Sequence, residues 1–138
     1  MFRSKKKEQA AQPQTTRPVA YPSGLMVTTE KCTWYILGGK RLKVYSQRCL
    51  ASWGVTPVLG TEASLSKFPA SSRPLGFRDG TLIKDISDGR IYLVSQAKRR
   101  HIVNPDDLTT LGLRLNDAVV VSSAEAGLHE DGDDLDGI

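Results

Sequence analysis

Apolar residues along this chain fall in short alternating bursts, not in long stripes. Trp34 to Leu37 and Arg41 to Tyr45 flank Gly38-Gly39, a two-residue turn able to supply the positive φ of a tight hairpin. In the returning strand Leu42 and Val44 alternate with Arg41, Lys43 and Tyr45, which predicts a half-buried strand with one basic face. Two further apolar runs, Leu25-Met26-Val27 and Thr81-Leu82-Ile83, each follow a glycine and read as strands. Helical spacing is confined to short pieces. Ser46 caps and Gly54 ends a segment with Leu50 and Trp53 three apart. Asn104, Pro105 and Asp106-Asp107 open a second, with Leu108 and Leu111 on one face and Gly112 as its stop. Ala118 to Val121 reads as a buried strand, and Ser122 with Glu125 has capping-box spacing for one more helical turn.

The pattern is written twice. Tyr35 to Val44 reappears as Tyr92 to Ile102, and a leucine-containing segment ending in glycine follows each copy. Gly24 and Gly80 lie 56 residues apart; Lys40 and Lys98, and Gly54 and Gly112, lie 58 apart. One insertion before the hairpin and one at its turn, Gly38-Gly39 against Ser95-Gln96-Ala97, account for the drift. The copies are unequal. Arg100 stands where the first has Leu42, and Pro57-Val58-Leu59-Gly60 replaces the valine run, with Pro57 arguing against a central strand.

The expected fold is therefore α+β and β-rich: two tandem β-hairpin plus short-helix units packed into one small body, with extended N- and C-terminal arms. The divisions are a basic, polar arm (1–22), a degenerate first unit (23–76), a second unit (77–128) and an acidic tail (129–138). A unit of about 50 residues is marginal alone, so the two are expected to share a core or lean on a partner.

Charge separates the ends. Arg3, Lys5, Lys6, Lys7 and Arg17 face only Glu8 in the first twenty residues, while Glu130, Asp131, Asp133, Asp134 and Asp136 close the chain without a cation. Both ends are poor in packing residues and are expected to be disordered in the isolated chain. No run approaches the ~20 apolar residues that span a bilayer, and the basic start lacks the apolar stretch of a signal peptide. This predicts a chain made and used without export, with no membrane partner. Cys32 and Cys49 have no CxxC spacing and no nearby histidine, which points to reduced thiols and not to a metal site; a disulfide between them stays open.

Candidate chemistry is thin. Lys98-Arg99-Arg100-His101, with Lys40, Arg41 and Lys43 as its twin, could meet phosphates or an acidic surface, or simply solvate a hairpin and discourage edge pairing. Arg3, Lys5, Lys6 and Lys7 add a second basic candidate. No phosphate-loop spacing exists, the acidic end lacks the spacing and closing glutamate of a calcium loop, and no nucleophile-base set stands out. Catalytic residues, cofactors and metals are not expected.

The run Asp79 to Lys84, Ile91 to Val94, Lys98 to Ile102, Leu108 to Gly112 and Val119 to Ser122 resembles a short module repeated in actinobacterial surface proteins and in virion proteins of actinobacterial phages. The likeness covers residues 79 to 123 well and 23 to 66 poorly, and it carries over no functional residue. It implies a non-enzymatic structural protein of a phage virion: a capsid, head-tail connector or tail accessory subunit. Its partners would be other virion proteins or copies of itself in a homo-oligomeric, symmetric assembly. Two alternatives stand beside it: a nucleic-acid-binding module using the basic strand and arm, and a cell-wall or carbohydrate-binding surface module.

Overall fold

The computed structural model describes residues 15 to 137. The fold is α+β and β-rich, with two four-stranded mixed sheets. Packing divides the chain into two units: residues 1–44 with 55–75, and residues 45–54 with 76–138.

In the first unit the sheet runs β3-β2-β1-β4. Its strands are β1 (Met26–Thr28), β2 (Thr33–Leu37), β3 (Lys40–Lys43) and β4 (Val58–Leu59). The first three form an antiparallel meander, and β4 lies parallel to β1. Val27, Ile36, Leu65 and Phe68 form a buried cluster, with Tyr21, Leu25 and Trp34 packed against it. Pro57 falls just before a two-residue edge strand, a place where its missing donor costs no ladder bond.

The second unit repeats this order as β7-β6-β5-β8. Its strands are β5 (Leu82–Asp85), β6 (Ile91–Ser95), β7 (Lys98–His101) and β8 (Val119–Val121), with β8 parallel to β5. Three helices belong to it: α1 (Gln47–Trp53), α2 (Asp107–Thr110) and α3 (Ser123–Ala126). Leu82, Ile91, Ile102, Leu108 and Leu135 form its buried cluster. Ser46 caps α1 by accepting the Cys49 amide, and Gly54 ends it at φ 65°. The Ser122–Glu125 capping box is formed. Asn104 turns the chain by accepting the Asp106 amide, and α2 begins only at Asp107.

Several expectations change. Strand pairing sets Val27 against Trp34 and Ile83 against Tyr92, so Trp34 and not Tyr35 is the counterpart of Tyr92. Both hairpin turns have two residues, and the single insertion lies in the loop before β2 or β6. Gln96 and Ala97 adopt φ 53° and 64° without a glycine. Two hydrogen bonds hold Ala97 there: its amide donates to Asp79 Oδ1 (2.9 Å), and its carbonyl meets His129 Nδ1 (2.7 Å). The valine strand β8 sits at a sheet edge with Val120 48% exposed, not buried throughout. Leu111 is 37% exposed, so Leu108 alone carries that helix into the core.

The ends are corrected most. The acidic residues 129–138 were expected to be a solvated tail, yet residues 129–137 dock along β7. Arg99 N donates to Glu130 O, Gly132 N to Arg99 O, and Leu135 N to His101 O, each at 2.8 to 2.9 Å. His129 and Leu135 are buried. Residues 69–75 do the same along β3, with matching bridges at Arg41–Ala70 and Val44–Leu75. Part of the N-terminal arm is held too: Val19 N donates to Ser64 O, and Thr61 Oγ1 to Thr15 O. Arg3, Lys5, Lys6 and Lys7 lie outside the described residues.

Candidate interaction surface

The two basic strands were the leading site from sequence, and each is largely spent on its own unit. In the first, the Arg41 guanidinium lies 4.4 Å over the Trp34 ring and pairs with Glu62 at 3.0 Å. Glu62 also accepts from Thr29 Oγ1 (2.5 Å) and Trp34 Nε1 (2.7 Å). Burial would push this carboxyl up, but those donors and Arg41 outweigh it and hold it below the usual carboxylate range. In the second, Arg99 lies 4.7 Å over Tyr92 and pairs with Asp131 at 2.8 Å. Cation and aromatic ring thus recur at matched positions, while the carboxylate comes from a different flanking segment in each copy. Arg100 Nε donates to Asp133 O, and His101 tilts against Tyr92. Of the described basic-strand candidates, Lys40, Lys43 and Lys98 stay exposed.

One difference between the copies is testable. Arg41 Nε is buried and has no hydrogen-bond partner, while Arg99 Nε has Asp131. The residue at the place of Asp131 in the first unit is Ala70. Ala70→Asp is expected to supply the missing acceptor and stabilise the chain by roughly 0.5–1 kcal/mol. A raised urea midpoint at unchanged slope checks it; the gain should be absent when Arg41 is first changed to Lys.

Sequence reasoning missed the roles of three residues, although it placed Glu125 in its capping box. Glu125 has a side chain only 4% exposed and joins α1 to the rest of the second unit. It accepts from Ser46 Oγ (2.5 Å), Arg48 Nη1 (3.2 Å) and the Ser122 amide (3.0 Å). Burial again would raise its pKa, and these partners lower it instead. Glu62 is the second. The third is His129, whose Nε2 accepts the Phe77 amide at 2.9 Å, placing the ring hydrogen on Nδ1 toward Ala97 O. Its ring pairs with Phe77 as Phe68 pairs with Tyr21, at centroid separations of 6.0 and 6.3 Å.

Helix α1 completes the second unit through polar bonds at both ends. Besides the Glu125 contacts, Trp53 Nε1 donates to Gly76 O (3.0 Å), and Ser52 Oγ accepts the Arg78 amide (3.1 Å). A shallow groove of about 350 Å³ is lined by Ala51, Leu82, Leu113 and Val119, with Arg48 and Asp117 as its charged residues. Its two hydroxyls, on Ser52 and Thr81, are committed to the Cys49 and Arg78 carbonyls. Cys32 and Cys49 are free thiols, pushed up in pKa chiefly by burial, which makes both poor nucleophiles. Among the described residues no group of three His, Cys, Asp or Glu side chains is placed to hold a metal, and no helix is long and apolar enough to cross a membrane.

No protein-family model matches the chain, and no curated protein does. A solved structure of the periplasmic assembly from the ESX-5 inner membrane complex shows a slight likeness: 13% identity, a TM-score of 0.32, with 83% of this chain and 42% of that chain covered.

Proposed function

We propose that this chain is a non-enzymatic structural subunit acting through protein-protein contacts in a symmetric assembly, with the phage virion as the setting that its module resemblance suggests. The supporting observation is that the equivalent arginines Arg41 and Arg99 are each clamped between an aromatic ring and a carboxylate, Trp34 with Glu62 and Tyr92 with Asp131. Their charged groups pair with one another and hold sheet to flanking segment. Such an arrangement builds a scaffold, and its role is then exercised by surfaces. The same engagement weighs against the nucleic-acid alternative, which loses Arg41, Arg99 and Arg100 as open phosphate ligands.

Mass spectrometry of particles purified from cells that express the gene with its neighbours tests the reading. The chain is expected at stoichiometric abundance, retained after a high-salt wash. Its absence from such particles would count against the virion setting. Tight retention on DNA at low salt, falling steeply with added salt, would favour the alternative.

A further inference from the structure

The strap along β7, residues 129–137, is fastened at its start by a histidine that must be neutral to do so. His129 is 6% exposed. Its Nε2 accepts the Phe77 amide at 2.9 Å, and its Nδ1 meets the Ala97 carbonyl at 2.7 Å. A carbonyl only accepts, so Nδ1 carries the hydrogen and Nε2 keeps its lone pair. An imidazolium has no such lone pair. A proton added at Nε2 would face the Phe77 N–H, donor against donor, at a buried site. The ring has little room to turn away. A Cβ built on Gly76 would stand 2.5 Å from Nε2 and 2.8 Å from Cε1. On its other side Nδ1 is tied to Ala97, whose amide is held by Asp79. The charged side chains on the surrounding elements are Arg78 and Asp79 beyond Phe77, Lys98 after Ala97, Glu125 on α3, and Glu130 next to His129. Asp79 is committed to the Ala97 amide, and Glu125 to Ser46, Arg48 and Ser122. The polar partners of the ring are an amide and a carbonyl, not a carboxylate that would welcome the proton.

We propose that His129 is a pH latch: when it takes up a proton, residues 129–137 leave β7 and uncover the backbone edge of that strand with its arginines. The proposal does not rest on the assembly reading. Downstream of the ring the strap is held by three backbone bonds: Arg99 N to Glu130 O, Gly132 N to Arg99 O, and Leu135 N to His101 O. Two arginine contacts add to them, Asp131 on Arg99 and the Asp133 carbonyl on Arg100. Asp131 lies two residues from His129, so separating the ring from Phe77 pulls first on the Arg99 pair. Undocking therefore turns a covered strand into an open one that presents two guanidinium groups and unpaired main-chain groups. The first repeat has no such device. Phe68 stands there at the place of His129, and Ala70 at the place of Asp131. Its strap along β3 is fastened by a ring that takes up no proton, so the response to acid belongs to the second unit alone.

Amide exchange and proton NMR of the full-length chain from about pH 8 to about pH 5.5 test this, a window that spans imidazole titration and stays above the ordinary carboxylate range. Protection of the Gly132 and Leu135 amides, corrected for intrinsic exchange, is expected to fall at least about tenfold. The Val94 amide, which donates to Thr81 O within the sheet, should keep its protection. The fall should share its midpoint with the ring-proton shift of His129. His129→Phe should abolish the pH response while lowering protection throughout the window, and His101→Gln should leave the response in place. Flat protection of the strap, or a response that persists in His129→Phe, would overturn the latch. So would loss of Val94 protection in step with the strap, since the whole unit would then be opening. If His129→Phe does not fold, the comparison of midpoints in the parent chain decides, and a mismatch overturns the proposal.

Discussion

Glu125→Ala is expected to cost about 2–4 kcal/mol, the largest loss for any single carboxylate in the described residues. The reason is where the oxygens point. One group satisfies the Ser46 hydroxyl, the Ser122 amide and Arg48, and so fastens α1 and caps α3 at once. Removing it leaves the Ser122 amide and the Ser46 hydroxyl without their acceptor near a buried site. The ion pair itself is a minor part: the Arg48 side chain is 59% exposed, and Arg48→Ala should cost well under 1 kcal/mol. Urea unfolding of the two variants separates these contributions. Equal losses would mean that the salt bridge, and not the neutral donors, carries the contact. Acid gives a second check. The carboxyl is held below the usual range in the folded chain, so its contribution is complete above the ordinary glutamate pKa of ~4.3 and fades as pH falls through the lower folded-state value. Glu62 and Asp85 are shifted the same way, the latter mainly by the Ser87 hydroxyl and amide. Stability should therefore drop below about pH 4, less steeply in Glu125→Gln.

His129→Ala should cost about 3 kcal/mol, from an unsatisfied Phe77 amide, a lost bond to Ala97 O and a cavity beside the Phe77 ring. The informative comparison is His129→Phe, which installs the residue of the first repeat. It keeps the ring pair but strands the Phe77 amide, so roughly 1–3 kcal/mol should still be lost. Gly76→Ala attacks the same point from the other side. A Cβ there would stand 2.5 Å from His129 Nε2. The ring has little freedom to retreat, because Nδ1 is tied to Ala97 O, whose residue already sits at φ 64°. Guanidinium midpoints for the three variants, with exchange of the Phe77 amide, decide the matter. A His129→Phe chain as stable as the parent would show that the imidazole is only filler.

The hairpins, their helices and the doubling were legible because each depends on neighbours close in sequence. Ser46, Gly54 and the Ser122–Glu125 box act within a turn, and they fell where propensity put them. What escaped the sequence depends on distant pairing. Asp131, Asp133 and Asp134 look like a solvated tail until Leu135 is seen alongside β7, because one leucine among carboxylates carries almost no periodic signal. The arginines read as a ligand surface for the same reason: nothing local says that Glu62, twenty-one residues from Arg41, is waiting for it. The turn at Gln96-Ala97 was misaligned because a glycine-free pair at positive φ is rare, and its support comes from Asp79 and His129.

The passage of residues 45–54 into the second unit also bears on heredity. A duplication copies contiguous sequence, so the copied block here ran from hairpin through helix. The folded blocks do not share those borders. A recombination joint placed near residue 76 would look harmless in the gene and would deprive the downstream product of Ser46, Arg48 and Trp53 together. Exchange between related genes should instead be tolerated where residues 45 to 138 travel as one inheritance.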